Sequence, residues 1–418
     1  MYDVAVVGLG VMGAMALWQV TQHAPGARVI GIDRFAPGHD RGASHGGSRI
    51  FRRTVFEAPH YVPLVARAQQ LWDNLEAASG TRLRTVTGGL SIGTDGGAFL
   101  ADAQQAAKDG GVPVELLDCA DLRHRFPQHA VFDDDCAVHE PGAGVLDPEG
   151  CVRAAVEVAT STSAELITGA AVTAIRPVSS RAGSAAHVEV VTGTTIVRAR
   201  RVIVAAGAWV TRLLPEENLP IRVQRTVPVH FRPSASEATA FAPERFPVFI
   251  RESHHLNAWG IGNVDGRGVK IGVKNFPKPW LRRVEDNWVP PRPSDLAPAV
   301  DACHELLPQL RGATADGFPC MNAKTPDTDF IIGHATATPG VVILAGFGGQ
   351  GFKYSAAVGD VGARLALEQD PAIDLTAFRP DRFPRDRDPW STPAEPVFDP
   401  APDSEPSHAH LAPSTKKA

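Results

Sequence analysis

Three glycines near the start of the chain have the spacing of a phosphate-binding turn. The sequence GLGVMG, residues 8–13, follows an apolar strand-like run and precedes a helical pattern. Gly8 permits a tight turn, Gly10 lets the backbone approach a pyrophosphate, and Gly13 allows the helix to pack closely on the strand. The free N–H groups and the positive dipole end of the helix then face the phosphates. The motif therefore predicts a nucleotide-binding βαβ unit.

Asp33 completes this fingerprint. It ends the second strand-like run, 20 residues after Gly13, where a carboxylate can accept hydrogen bonds from ribose hydroxyls. A glycine-rich packing turn would not explain this acid, so the sequence predicts dinucleotide binding. The fingerprint alone does not choose between NAD and FAD.

A cluster of basic residues follows the acid. The run ASHGGSRIFRR, residues 43–53, contains His45, Arg49, Arg52 and Arg53 among small residues. Arginines in such a cluster can form a solvated basic face. They can also clamp a carboxylate or phosphate in bidentate fashion, and the small neighbours favour close approach to a ligand.

Composition excludes several classes of function. The 418 residues suffice for two or three domains, and 41 basic against 46 acidic residues give a net charge of −5. Such a chain is not expected to bind nucleic acid or an anionic membrane. No apolar run approaches the roughly 20 residues of a membrane helix. No basic n-region precedes the first strand, so we expect a cytoplasmic protein.

The cysteines indicate a reducing compartment. They are odd in number and form no C-x-x-C pair, so each is either a buried hydrophobic residue or a chemical group. They are Cys119, Cys136, Cys151, Cys303 and Cys320. We predict no metal site.

Strand–turn–helix pieces recur along the chain with β-rich material between them. Helical spacing predicts helices over residues 60–79 and 150–162. RVIVAAGAWV, residues 201–210, and VVILA, residues 341–345, predict further strands, each followed by small residues. One domain is therefore expected to be discontinuous.

These motifs together resemble the start of the monomeric sarcosine oxidase family, FAD enzymes of the wider D-amino-acid-oxidase-like group. The resemblance begins with GLGVMG, ASHGGSRIFR and YVPLVARAQQLW. It continues, in family order, through RVIVAAGAWV, WGIGNVDGRGVKIG, GFPCMNAKTPDTDF and GFGGQGFKYS. It covers residues 1 to about 380 and implies an α/β fold. In the implied fold, a Rossmann-like FAD-binding domain is joined to a catalytic domain with a mixed, mainly antiparallel β-sheet.

The domain boundaries follow from this interpretation. The FAD-binding domain is expected to comprise residues 1–85, 150–218 and 320–384, and the catalytic domain residues 86–149 and 219–319. Residues 385–418 are rich in Pro, Asp and Ser, which predicts a disordered tail.

The resemblance also implies roles for individual residues. Cys320 matches the cysteine that binds the flavin covalently through a thioether, and Lys270 matches the lysine that lies over the flavin and assists its reaction with oxygen. Arg52 and Lys353 match the pair that binds the substrate carboxylate. His45 and Arg49 match residues beside the flavin ring. Further cofactor contacts are expected from Gly8, Gly10, Met12, Gly13, Asp33, Arg34, Ser44, Gly346, Gly348, Gly349, Gly351 and Lys353.

Without the resemblance, these residues have simpler interpretations. Lys270 alternates with Val269 and Ile271 and fits an outward-facing strand lysine. Lys353 fits a helix-end lysine, and Cys320 fits an inert core thiol.

Three departures from the family pattern fall in or beside the expected substrate pocket. Asn322 stands where an aromatic residue is common, Trp259 where tyrosine is common, and Lys274 where sarcosine oxidases have histidine. Because polar groups replace an aromatic wall, the pocket should accept a different amine. A secondary amino acid with a larger or more polar side chain, or a cyclic one, fits as well as sarcosine.

The expected reaction is oxidation of the C–N bond of a secondary amino acid, with O2 as acceptor and H2O2 as product. The expected partners are this small-molecule substrate and O2, and the chain is expected to be a monomer or weak dimer. One alternative is a flavin enzyme of the same family that uses another acceptor or a biosynthetic imine. An NAD-dependent dehydrogenase and a nucleotide-binding protein without turnover are two more.

Overall fold

The computed structural model describes residues 1–180, 186–193, 195–384, 389–390 and 396–400. Its helices are α1 Val11–His23, α2 Tyr61–Ser79, α3 Ala98–Asp109, α4 Cys119–Arg125, α5 Pro148–Thr162, α6 Val210–Leu213, α7 Pro293–Leu306 and α8 Ser355–Ala366. The strands of the first half are β1 Tyr2–Val7, β2 Val29–Ile32, β3 Arg49–Phe51, β4 Arg84–Val86, β5 Gly89–Thr94, β6 Glu115–Leu117, β7 Asp135–Glu140, β8 Gly144–Leu146, β9 Glu165–Ile167, β10 Val172–Val178, β11 His187–Thr192 and β12 Ile196–Val204. Those of the second half are β13 Arg222–Thr226, β14 Val229–Arg232, β15 Val248–Ser253, β16 Leu256–Ile261, β17 Val269–Val273, β18 Thr314–Gly317, β19 Cys320–Lys324, β20 Ile331–His334 and β21 Val341–Ala345.

A doubly covered sheet with a parallel centre forms the first layer of the fold. Strands β12, β1, β2 and β9 pair in parallel in that order, and β21 extends the parallel set from β12. Helices α1, α5 and α8 pack against one face, and a second apolar cluster covers the other. Because both faces are buried, residues 4–7 of β1 and the whole of β2 are continuous apolar runs, as expected for a parallel sheet. This is the Rossmann-like sheet predicted from the sequence.

The second large sheet is mixed and mainly antiparallel, as predicted. Its order is β18-β14-β17-β16-β15-β5-β7-β6, and only the pairing of β15 with β5 is parallel among its described ladders. Helix α7 packs against β14, β17 and β18. All strands of the two large sheets fall within the segments expected for their respective domains, which supports that division as a proposal.

Two small sheets contain the remaining strands. Strand β13 pairs with β19, so that Cys320 stands opposite Thr226. Strands β3 and β4 both pair with β8. The chain returns from the second sheet to the first through β19, so Cys320 stands between the two large sheets along the chain.

The predicted tail requires a correction over a few residues. Phe398 is buried and its N–H donates to the carbonyl of Trp280, while the indole of Trp390 donates to the carbonyl of Pro220. These aromatic anchors bind residues 389–390 and 396–400 to the body of the protein. The other residues of the predicted tail lie outside the described residues.

None of the helices in the described ranges combines the length and the apolar character that crossing a membrane requires.

Candidate active site

The glycine motif forms the tight turn that its spacing predicts. Gly8 has a φ of 91°, and a Cβ built on it would lie 2.6 Å from the carbonyl oxygen of Ala205. A Cβ on Gly13 would lie 1.7 Å from the carbonyl oxygen of Gly8. Both positions therefore exclude any side chain. The N–H of Val11 donates to Oγ of Ser44 at 3.0 Å, which ties the start of α1 to the basic loop.

Asp33 lies at the carboxyl end of β2, beside this turn. Its Oδ2 accepts from the N–H of Leu9 at 2.6 Å and its Oδ1 accepts from the N–H of Phe35 at 2.7 Å. The carboxylate is thereby fixed at the mouth of the cleft, where each oxygen keeps lone pairs for a further donor.

A long cleft runs from Asp33 over the glycine turn toward β19. It encloses about 1540 Å³ of space when the solvent at its open mouth is included. The lining residues and the course of the cleft, from Asp33 over the glycine turn to Cys320, fit an extended dinucleotide. Gly13 lies behind the wall as a packing residue. The expected cofactor residues that line the cleft are Gly8, Gly10, Met12, Asp33, Arg34, Ser44, Cys320, Gly346, Gly348, Gly349 and Gly351.

A second cavity of about 1760 Å³ opens from the far end of this cleft. Arg49, Cys320 and Asn322 line both spaces. The structure brings the expected substrate residues into the second cavity, namely Arg52, Lys353, Trp259, Asn322 and Lys274. Lys353 lines the second cavity and not the cofactor cleft. Any contact of Lys353 with the cofactor would therefore have to be made from the second cavity.

Cys320 is a buried, activated thiol at the junction of the two spaces. Its Sγ lies 3.9 Å from Nη2 of Arg49. Burial alone raises the pKa of this thiol, but His45 and the Arg49 guanidinium outweigh burial and lower the pKa to about 6. The core thiol of Cys303 shows the contrast, because burial raises its pKa to about 12. Cys320 therefore has the thiolate character that an inert core thiol lacks.

Lys270 lies on β17 and is only 1% exposed, so the outward-facing interpretation is wrong. Its Nζ donates to the carbonyl of Gly46 at 3.0 Å and to that of Ser48 at 2.6 Å. Burial, with Arg49 nearby, places the pKa of this amine well below its ordinary value. Lys270 lines neither cavity and lies beneath the loop that carries Arg49.

Glu149 fixes this loop from the other side. It stands in the first turn of α5, and its carboxylate accepts from the N–H groups of Gly46 at 2.7 Å and Gly47 at 3.1 Å. By accepting from these two N–H groups, Glu149 orients the Gly46 carbonyl to which Lys270 donates. The sequence offered no signal for this role beyond an acid at a helix start.

His45 and Arg49 have different surroundings. His45 is buried behind the cleft wall, with its ring 5.6 Å from the ring of Phe318. Arg49 reaches the junction and donates to the carbonyls of Ala43 and Ser48. Arg53 points away from both spaces and donates to the carbonyl of Gly110.

Arg52 and Lys353 share one carboxylate that sequence analysis missed. Oε1 of Glu57 lies 2.9 Å from Nη2 of Arg52 and 2.7 Å from Nζ of Lys353. Burial raises the pKa of Glu57, but the two cations outweigh burial and lower it to about 2. Lys353 precedes α8 in a short 3-10 turn and is buried, so it is not an exposed helix-end lysine. Burial lowers its pKa to about 8, against the opposing influence of Glu57.

The three departures from the family pattern stand on the wall of the second cavity. Trp259 on β16 packs over Gly272 of β17, where a Cβ would lie 2.4 Å from the indole. The amide of Asn322 lies against Gly349. Nζ of Lys274 lies 4.9 Å from the ring centroid of Phe56.

Comparison with known proteins decides which dinucleotide this cleft serves. Residues 3–365 match the family model described as FAD dependent oxidoreductase. The chain belongs to this family. It is an FAD-dependent oxidoreductase related to enzymes that act on C–N bonds, which confirms the resemblance and the fold predicted from the motifs.

Curated relatives extend over almost the whole chain. The monomeric sarcosine oxidase of Streptomyces avermitilis is 34% identical over 391 residues, which are 91% of this chain and 98% of the relative. The N-methyl-L-tryptophan oxidase of Yersinia pestis is 33% identical over 392 residues, 91% of this chain and 99% of the relative.

Solved structures agree on the fold. NikD, an unusual amino acid oxidase essential for nikkomycin biosynthesis, superposes with a TM-score of 0.76 at 23% identity, covering 91% of this chain and 97% of that chain. The L-proline dehydrogenase of P. horikoshii gives a TM-score of 0.77 at 20% identity with the same coverage.

Proposed function

We propose that the protein oxidises the C–N bond of a secondary amino acid, with O2 as the electron acceptor and H2O2 as a product. The observation that carries this proposal is the junction of the two spaces. There the Cys320 thiol, at the end of the cofactor cleft, faces the cavity that contains Arg52 and Lys353. The names of the curated relatives, a sarcosine oxidase and an N-methyl-L-tryptophan oxidase, support the same substrate class.

A bound flavin would supply the redox chemistry, namely uptake of a hydride equivalent from the amine and its delivery as electrons to the acceptor. The protein supplies orientation and charge. Arg52 and Lys353 bind the substrate carboxylate, which takes the place of Glu57. This binding holds the substrate amine over the junction. Arginine suits this task because its planar fork matches a carboxylate.

Cys320 is proposed as the covalent anchor of the cofactor. The thioether would form as the thiolate adds to the 8α-methyl carbon, which would give up a proton while two electrons reduce the flavin, and O2 would then take up those electrons. The lowered pKa of Cys320 makes the attacking thiolate the main form near neutral pH. Arg49 stands close enough to stabilise the sulfur anion.

Lys270 is proposed to assist the reaction with oxygen. Reduction of O2 develops negative charge, and a fixed cation in a site that excludes water stabilises such charge. The carbonyls of Gly46 and Ser48 hold the ammonium in place.

The test is anaerobic mixing of the purified yellow protein with a panel of N-methyl and cyclic amino acids, followed by admission of oxygen. We expect loss of the flavin absorbance near roughly 450 nm with at least one panel member, and then reoxidation with release of H2O2. Absence of reduction by every N-methyl and cyclic amino acid would refute the substrate class. Rapid reduction followed by slow reoxidation would favour the same chemistry with another acceptor.

A further inference from the structure

The second cavity carries a charge opposite to that of the whole chain. Its wall contains six cationic side chains and one carboxylate, Glu57, although the net charge of the chain is −5. A cavity of this sign concentrates anions. The six cations are Arg49, Arg52, Lys274, Lys278, Lys324 and Lys353.

Three of these cations already have partners or tasks at the site. Arg49 faces Cys320, and Arg52 and Lys353 share Glu57. A substrate with a single carboxylate would use Arg52 and Lys353 and leave Lys274 without a role.

Lys274 lies directly beside this clamp. Its Nζ is 4.9 Å from the ring centroid of Phe56, and Cζ of Arg52 is 4.0 Å from the same centroid. Within the described part of the chain, no carboxylate oxygen lies within 4.0 Å of Lys274 Nζ. Lys274 is exposed, and its side chain lines the cavity. Desolvation by the neighbouring protein, with the nearby charge of Arg52, lowers the pKa of this lysine against the opposing influence of Glu57 and Glu252. A bound anion would offset both effects.

We propose that the substrate carries a second acidic group, which Lys274 binds while Arg52 and Lys353 bind the α-carboxylate. This inference rests on the proposed function and narrows its substrate class to N-substituted dicarboxylic amino acids, such as N-methylaspartate or N-methylglutamate. Arg52 and Lys274 both contact the ring of Phe56. The distance between their charged groups is therefore at most the sum of their two distances to the ring centroid. The two carboxylates of one amino acid can bridge that span.

The experiment compares N-methyl-L-glutamate with N-methyl-L-glutamine, which are similar in size and differ by one charge. The measured quantity is the ratio of their kcat/KM values for anaerobic flavin reduction in the holoenzyme. We expect a ratio of about ten or more in favour of the dicarboxylate, which corresponds to about 1.4 kcal/mol. Lys274→Met brings the ratio close to one, whereas Lys274→Arg keeps it. The matched control is Lys108→Met, at an exposed lysine of α3, which keeps the wild-type ratio.

A second measurement is independent of turnover. Succinate and butyrate are titrated into the oxidised holoenzyme, and binding is followed by the change in the flavin spectrum. We expect succinate to bind more tightly than butyrate in the wild type and to lose this advantage in Lys274→Met.

The outcomes separate the two proposals. A wild-type ratio of one or less, or an unchanged ratio in Lys274→Met, would overturn the role of Lys274. Equal affinity for succinate and butyrate would do so as well. Flavin that no N-methyl or cyclic amino acid reduces, together with tighter binding of succinate, would instead refute the proposed reaction and leave the dianion site standing.

Discussion

Oε1 of Glu57 lies 2.7 Å from Nζ of Lys353, in the place where a substrate carboxylate is expected to bind. The same oxygen lies 2.9 Å from Arg52. Because the pKa of Glu57 is lowered to about 2, the carboxylate stays ionised throughout the working range of pH. In the proposed mode of binding, the substrate carboxylate separates Glu57 from Arg52 and Lys353 and then forms equivalent ion pairs with these two cations.

This ion pair predicts that substrate binding weakens above a certain pH and that Glu57 sets that pH. Lys353 is charged below a pKa of about 8 and loses its charge as the pH rises through that value, so the substrate KM should rise above about pH 8. Removal of the opposing charge in Glu57→Gln lowers the Lys353 pKa further, and we expect the rise in KM to move down by about one pH unit or more. The measurement is KM against pH. Glu157→Gln, at an exposed residue of α5, is the control. An unchanged profile in Glu57→Gln would contradict the assigned clamp.

The cysteine at the junction should titrate well below an ordinary thiol. A group with a lowered pKa is ionised above that pKa, so alkylation of flavin-free protein by iodoacetamide should reach half its maximal rate near pH 6. In the flavin-loaded enzyme, acid precipitation should leave the colour in the pellet, and Cys320→Ser should release it. Cys119→Ser, in α4 and away from both spaces, should keep the colour in the pellet. Release of all the colour from the wild type would rule out the covalent link.

Lys270 should affect reoxidation far more than reduction. Removal of its charge in Lys270→Met takes away stabilisation of developing negative charge, a loss of about 10²–10³ in rate at comparable sites. Burial lowers the lysine pKa, so the cation is present at low pH and disappears as the pH rises through a value below that of an ordinary lysine. Stopped-flow reoxidation of the reduced wild type should accordingly slow as the pH rises, and Lys270→Met should be slow at every pH. Equal slowing of both half-reactions would contradict this role.

The sequence predicted the parts of the site that depend on local geometry. The glycine turn, Asp33 and the parallel strands follow from spacing and periodicity within one βαβ unit. The orientation of Lys270 does not, because β17 is buried on both faces and its alternation carries no information about exposure. The prediction of a strand over residues 201–210 was wrong at its end, where Gly207 has a φ of 53° and begins a helical turn.

Two acids of the site show why its remaining parts could not be predicted from the sequence. Glu57 and Glu149 have ordinary sequence neighbours, and an acid in a loop or at a helix start is usually solvated. Their roles depend on partners about 300 and 100 positions away, at Lys353 and Gly46. Only the tertiary fold brings these residues together. Family resemblance named Lys353 but not the carboxylate that holds it.

The close packing at Gly13 gives a last prediction, on the cofactor turn itself. In Gly13→Ala the new methyl group would lie 1.7 Å from the carbonyl oxygen of Gly8, so the turn must move. We expect a loss of stability of about 1–3 kcal/mol, typical of overpacking, and a flavin content far below one per chain. Gly312→Ala is the matched control, since its Cβ would meet no atom within 4 Å. The measurements are the visible absorbance per chain and the urea midpoint of unfolding. A Gly13→Ala protein with full flavin content would show that the turn does not bind the cofactor in the manner proposed.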